Sequence, residues 1–155
     1  MTRMRAVDAI RKPPVTIAPE ATIAEAARLM DHSVVGALVV VENDRPVGVV
    51  TDRDVAVRAV ARDVPTDARV DAIMSRGVIA LDGDADLRCA LPIFHSQAIR
   101  RLPLVQHGRL VGMLTTDDLL IDLVADLGDL VRPITGQVVF GYPEHSDVPA
   151  RRDSA

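Results

Sequence analysis

Val47-Gly48-Val49-Val50-Thr51-Asp52-Arg53-Asp54 is echoed 64 residues later by Val111-Gly112-Met113-Leu114-Thr115-Thr116-Asp117-Asp118. Each copy reads as a buried strand that hands over to a helix start, an apolar run closed by a threonine and followed by carboxylates. At the same spacing Val41 falls on Val105, Arg45 on Arg109, Met30 on Phe94 and Ala26 on Ala90. Further upstream, Val7-Asp8-Ala9-Ile10 matches Val70-Asp71-Ala72-Ile73 at a spacing of 63, which predicts a one-residue loop adjustment. A register kept across a helix, two strands and a turn marks a duplicated unit.

Local signals give both copies the same order. Thr22-Ile23-Ala24-Glu25 is a capping box, because the hydroxyl and the carboxylate each satisfy a free backbone donor. It predicts a helix from Thr22 to His32, with Ile23, Ala26, Ala27 and Met30 forming one apolar stripe and Glu25, Arg28 and Asp31 opposite. Ala37 to Val41 and Val47 to Thr51 read as strands joined at Asn43-Asp44, and a helix opens at Asp52 and runs to Arg62. The second copy predicts a strand at Val78 to Leu81, a helix from Ala85 to Gln97, strands at Leu102 to Gln106 and Leu110 to Leu114, and a helix from Thr116 to Leu127. Pro92 falls inside the first of those helices, where it predicts a kink or an earlier irregularity. The fold class is therefore α/β, two tandem β-α-β-β-α repeats over 7–64 and 70–128, joined by a polar, proline-bearing stretch. The remainder, 132–155, reads as a largely mobile extension in which Val138-Val139-Phe140 could form a short strand.

Composition narrows the function classes. The chain has 155 residues, too few for a separate catalytic domain beside two repeats. Hydrophobic residues make up 48% and aromatics 2%, so the core rests on Val, Leu, Ile and Ala, as in strands covered by helices. A formal net charge of -4 argues against general attraction to nucleic acid or an anionic membrane, and no apolar run is long enough to span a bilayer. The single cysteine, Cys89, forms no internal disulfide and reads as a buried structural residue, which suits a cytoplasmic, reducing setting. His32, His95, His107 and His145 are scattered without metal-ligand spacing. The paired carboxylates Asp52/Asp54 and Asp117/Asp118 have no nucleophile or second catalytic motif beside them, so neither a catalytic residue nor a metal site is expected.

The repeated Gly, two apolar residues, Thr, two variable residues, Asp can present a threonine hydroxyl and an aspartate together at a helix start. Free N–H groups and the hydroxyl can hold a phosphate, and an ionised carboxylate can accept two hydrogen bonds from ribose cis hydroxyls. Taken singly, Thr51 and Thr115 would be simple caps, and Asp54 and Asp118 first-turn carboxylates favoured by the helix dipole. In two registered copies the motif resembles the ribose-phosphate signature of cystathionine-β-synthase (CBS) domains. The resemblance runs from Val7 to Gly128 and takes in Val15 to Glu25-Ala26 and Arg100 to Val105.

Such paired domains, Bateman modules, pack about a pseudo-twofold axis with two symmetric clefts and usually form homodimers. The resemblance implies a regulatory, energy-sensing module that binds AMP, ADP, ATP or a related adenosyl ligand, has no cofactor and signals to a protein partner. It assigns Asp54 and Asp118 to ribose and Thr51 and Thr115 to phosphate. Backbone near Thr16 and Ile79, with the side chains of Val35 and Ile99, would hold adenine. Arg100 and Arg101 have uncharged counterparts, Gly36 and Ala37, so one cleft is expected to hold phosphate better, unless those arginines are merely solvated or salt-bridged. The rival reading, favoured by Pro92 and by the first copy's lack of those arginines, is an interaction module without a ligand. A small nucleotide-processing enzyme is a third. The stripe Leu119, Leu120, Leu123, Val124 and Leu127 is expected to be core or dimer seam.

Overall fold

A computed structural model describes residues 4–140, with side chains as far as Gly128. The first repeat contains β1 (Thr16–Ile17), α1 (Ile23–Ser33), β2 (Ala37–Glu42), β3 (Arg45–Thr51) and α2 (Asp52–Asp54), which continues into a π turn, Val55–Ala59, and a 3-10 turn, Val60–Arg62. The second contains β4 (Leu81–Asp82), a 3-10 turn (Leu87–Cys89), α3 (Ala90–Gln97), β5 (Arg101–Gln106), β6 (Arg109–Thr115) and α4 (Thr116–Phe140). Each repeat has a three-stranded sheet in chain order, its first pair parallel and its second antiparallel. The bulge between Val40 and Val41 returns between Leu104 and Val105, again 64 residues apart. The α/β class and the tandem repeat are thus present in the coordinates. Residues through Leu120 form one compact unit, and those from Ile121 onward belong to a second. Among the described residues no helix is long and apolar enough to cross a membrane.

Aliphatic side chains make both cores, as the aromatic-poor composition requires. Ile23, Leu38, Val40 and Val50 anchor the first, and Leu102, Leu104, Leu114 and Phe94 the second. Full burial of such a side chain contributes about 1.5–3 kcal/mol. Helix α1 buries Ile23, Ala26 and Met30 of the predicted stripe, whereas Ala27 is exposed. Its start is fixed by the box read from sequence: Glu25 N–H donates to Thr22 Oγ1 at 3.1 Å, and Thr22 N–H to Glu25 Oε2 at 2.7 Å.

Neither core is closed by its own repeat. The segment before β1 hydrogen-bonds to the second repeat, with Ala6 N–H on Ala85 O and Val7 N–H on Gly83 O, both at 2.9 Å. The linker after α2 does the same to the first: Val70 N–H donates to Ala21 O at 2.8 Å and Asp71 N–H to Pro19 O at 3.1 Å. Ala6 and Ala9 accordingly lie in the second core, and Val70, Ile73 and Met74 in the first. Two glycines admit these exchanged segments. A Cβ on Gly112 would overlap the Ile10 side chain, and one on Gly48 would overlap the Met74 sulfur.

The exchange corrects the upstream register. Backbone bonds equate Ala6 with Val70 and Val7 with Asp71, so the spacing is 64 here as well and the expected one-residue adjustment does not occur. Similar letters at 63 had outweighed a register that only hydrogen bonding defines. Strand β4 is likewise later and shorter than Val78 to Leu81, because only Leu81 and Asp82 pair with β5. The irregularity expected around Pro92 is found: a 3-10 turn precedes α3, so the proline occupies its third residue, where a missing N–H costs little. No strand forms at Val138-Val139-Phe140. Helix α4 runs through Pro133 to Phe140, following apolar residues at three- and four-residue spacing from Leu120 through Leu127 and Ile134 to Val138. Of the extension 132–155, expected to be largely mobile, residues 132–140 belong to α4, and the rest lies outside the described residues. Cys89 is exposed, not buried.

Two measurements follow from this packing. Gly112→Ala should cost about 1–3 kcal/mol in urea unfolding and cost clearly less in an Ile10→Ala background; equal costs in both would contradict the close approach. Thr22 bonding holds the Glu25 carboxyl below its ordinary value of 4.5. Its contribution is therefore complete above that value and is lost as pH falls through the lower folded-state one. Glu25→Gln should flatten the acid limb of a stability-pH curve and leave the neutral slope unchanged.

Candidate functional site

Strand β3 delivers Thr51, and β6 delivers Thr115, to the first residue before a helix, where extended backbone leaves the hydroxyl facing free N–H groups. Asp54 N–H donates to Thr51 Oγ1 at 3.1 Å, while Asp54 Oδ2 accepts from Thr51 N–H at 3.0 Å and from its hydroxyl at 2.9 Å. The second repeat reproduces this: Asp118 N–H to Thr115 Oγ1 is 3.2 Å, and Asp118 Oδ2 accepts at 2.9 Å and 2.6 Å. Each Thr–Asp pair is thus a reciprocal cap, the plain structural reading, and it consumes one oxygen of each carboxylate.

The second oxygen points elsewhere. Asp54 Oδ1 lies 3.3 Å from Arg58 Nε, and Asp118 Oδ1 lies 4.0 Å from Arg11 Nε. Both aspartate side chains are mostly buried, at 14% and 13% exposure, so an ion there is screened less than on an open surface. Arg58 also donates to Ile73 O at 2.8 Å and Ser75 Oγ at 3.1 Å, tying the first carboxylate to an exchanged segment. Its counterpart 64 residues on is Asp122. Sequence reading missed both arginines. Arg58 was visible as the i+4 neighbour of Asp54, whereas Arg11 meets Asp118 only through the exchange.

The remaining expected residues are less concentrated. Thr16 is exposed on β1 beside Val39, and its structural counterpart is Ala80, since Ile17 and Leu81 occupy equivalent pairings. Ile79 stands in the irregular stretch before β4, 39% exposed. Val35 and Ile99 pack against the first and second cores. The Arg100 carbonyl accepts from Thr116 N–H at 3.1 Å. Arg101 reaches the first repeat: a Cβ on Gly36 would sit 3.1 Å from its Nη2 and 3.0 Å from Asp52 Oδ2. The Arg101 guanidinium thus lies beside the first helix start. A groove of about 430 Å³ between α1 and α2 is bordered by Val35 and Asp52, while Thr51 and Asp54 are not among its walls. Among the described residues no cluster of His, Cys, Asp and Glu could hold a metal ion.

The family profile described as the CBS domain matches residues 6–60 and again 70–125. The CBS domain-containing protein YhcV of Bacillus subtilis is 35% identical over 111 residues, covering 72% of this chain and 79% of the relative. A CBS domain protein from Pyrobaculum aerophilum, solved complexed with AMP, superposes with a TM-score of 0.70 at 30% identity, covering 79% of this chain and 99% of that one. A CBS domain pair solved in complex with 5-methylthioadenosine and S-adenosyl-L-methionine superposes at 0.71 with 25% identity, covering 81% and 99%.

Because each threonine closes a cap, Thr51→Val and Thr115→Val should each lower unfolding stability by about 1 kcal/mol. Denaturant titration checks this, and an unchanged midpoint in either variant would show that the reciprocal pair carries no local stability.

Proposed function

The chain belongs to the CBS domain family as a tandem pair of its repeats, and from that premise we propose that it is a non-catalytic regulatory module whose two clefts bind an adenosine nucleotide or related adenosyl ligand. The outward Oδ1 of Asp54 and of Asp118 carries this reading. Each aspartate keeps one oxygen in its cap and holds the other beside a cation, so a ribose hydroxyl has a fixed acceptor to meet. Relatives solved with AMP, and with methylthioadenosine and S-adenosylmethionine, support the adenosyl class. Thr51 and Thr115 would face phosphate, Arg100 and Arg101 would add positive charge, and Thr16, Val35, Ile79 and Ile99 would contribute to the adenine side. We read the module as a cytoplasmic homodimer that passes its state to a protein partner, since a ligand moves such an equilibrium only through unequal affinity for its states.

One observation favours a second reading. Arg58 and Arg11 already face the two outward oxygens, as they would in an interaction module that has no ligand. Isothermal titration with AMP, ADP, ATP and S-adenosylmethionine separates the two. Under the first reading, Asp54→Asn and Asp118→Asn retain a capping oxygen but replace the outward acceptor with a donor. Each should weaken binding at its cleft by about tenfold or more. A saturating ligand at ~100 times its dissociation constant should add about 2.7 kcal/mol to stability. No heat and no thermal shift with any of the four would establish the ligand-free reading.

A further inference from the structure

Both candidate aspartates are linked to an exchanged segment by an arginine, and the two repeats build that link from opposite ends. In the first, Arg58 stands on the π turn after the helix start, with Nε 3.3 Å from Asp54 Oδ1, while its Nη1 donates to Ile73 O at 2.8 Å and Ser75 Oγ at 3.1 Å on the exchanged segment. In the second, the guanidinium belongs to the exchanged segment itself: Arg11 follows the Ile10 that packs on Gly112 and has Nε 4.0 Å from Asp118 Oδ1. At a spacing of 64, Arg58 and Ser75 of one repeat correspond to Asp122 and Arg11 of the other. The link is kept although the position supplying it has changed.

Acceptor counting sets this link against a bound ribose. A carboxylate offers about four lone-pair positions, two on each oxygen. Asp54 Oδ2 accepts from Thr51 N–H at 3.0 Å and from its hydroxyl at 2.9 Å, and Asp118 Oδ2 accepts from the same groups of Thr115 at 2.9 Å and 2.6 Å. Those bonds use up Oδ2, so the outward oxygen alone has acceptor capacity to offer. The cis hydroxyls of a ribose fill it and leave no position for a guanidinium. A sugar with a single hydroxyl there leaves one.

We propose that ribose and arginine exchange places on Oδ1, so that an adenosyl ligand displaces Arg58 from Asp54 or Arg11 from Asp118 and unfastens the exchanged segment of that repeat. This rests on the adenosyl reading given above and adds its output: occupancy is passed to 4–11 and 70–76, the stretches that close the two cores. Arg58 and Arg11 are positioning residues, which orient the carboxylate before the ligand arrives and compete with it afterwards.

AMP and 2′-deoxy-AMP test the exchange in the full chain, because they share adenine and phosphate and differ by one hydroxyl. In isothermal titration, Arg58→Gln and Arg11→Gln should each bind AMP about 2- to 5-fold more tightly than the unaltered chain, the reach of a partly exposed ion pair. Neither should gain affinity for 2′-deoxy-AMP. The Arg11 side chain is 47% exposed, so its variant keeps the test standing if Arg58→Gln unfolds. With saturating AMP, hydrogen exchange read by mass spectrometry should quicken in peptides spanning 4–11 and 70–76, and with saturating 2′-deoxy-AMP it should not. AMP affinity unchanged or weakened in both variants, or exchange that is the same with both nucleotides, overturns the displacement and leaves adenosyl binding standing. No heat from AMP, ADP, ATP or S-adenosylmethionine removes the adenosyl reading and the displacement together.

Discussion

Ile10 against Gly112 and Met74 against Gly48 are the contacts on which the rest of the architecture depends. Each places a side chain from one repeat's leading segment directly on the bare backbone of the other repeat's last strand, at a separation that excludes even a methyl group. A small aliphatic core of this kind cannot afford an open side, and here each sheet is closed by residues that the other repeat supplies. The glycines of the duplicated motif are therefore packing residues first. The strand they lie in then carries Thr51 and Thr115 to the two helix starts, so the exchanged segments position the candidate site as well as the cores.

At those helix starts, capping and binding are compatible because a carboxylate has two oxygens. Oδ2 of each aspartate is held by a backbone N–H and a hydroxyl, which fixes the orientation of Oδ1. The two outward atoms then meet different surroundings. Asp54 faces an arginine from its own helical segment, set on a π turn, and Asp118 faces one delivered by the exchanged segment. The two helix starts are alike in their caps and unlike in the cations around them.

Much of this was legible in the sequence because it depends on local physics. Apolar runs ending in threonine gave the strands, Thr22 with Glu25 gave the start of α1, and the duplicated motif gave the tandem fold and the Thr–Asp pairs. What was missed depends on distant partners. The equivalence of Ala6 with Val70 is set by hydrogen bonds across the repeats, and Val7-Asp8-Ala9-Ile10 resembles Val70-Asp71-Ala72-Ile73 more closely one residue out of step. The π turn lies where Val55, Val57 and Val60 crowd a helix with β-branched side chains, a weak local signal. The extent of α4 was hidden by Pro133, which reads as a stop although the apolar spacing continues beyond it.

The exchange also sets an order on the ribosome. The first core needs nothing beyond Met74, so it can close while the second repeat is still being made. Ala6 and Ala9, translated before everything they pack against, must wait until Leu114 has emerged before their own core exists. Until then the segment bearing Ala6 and Ala9 waits beside a finished half, and β6 is the strand that completes the core around it.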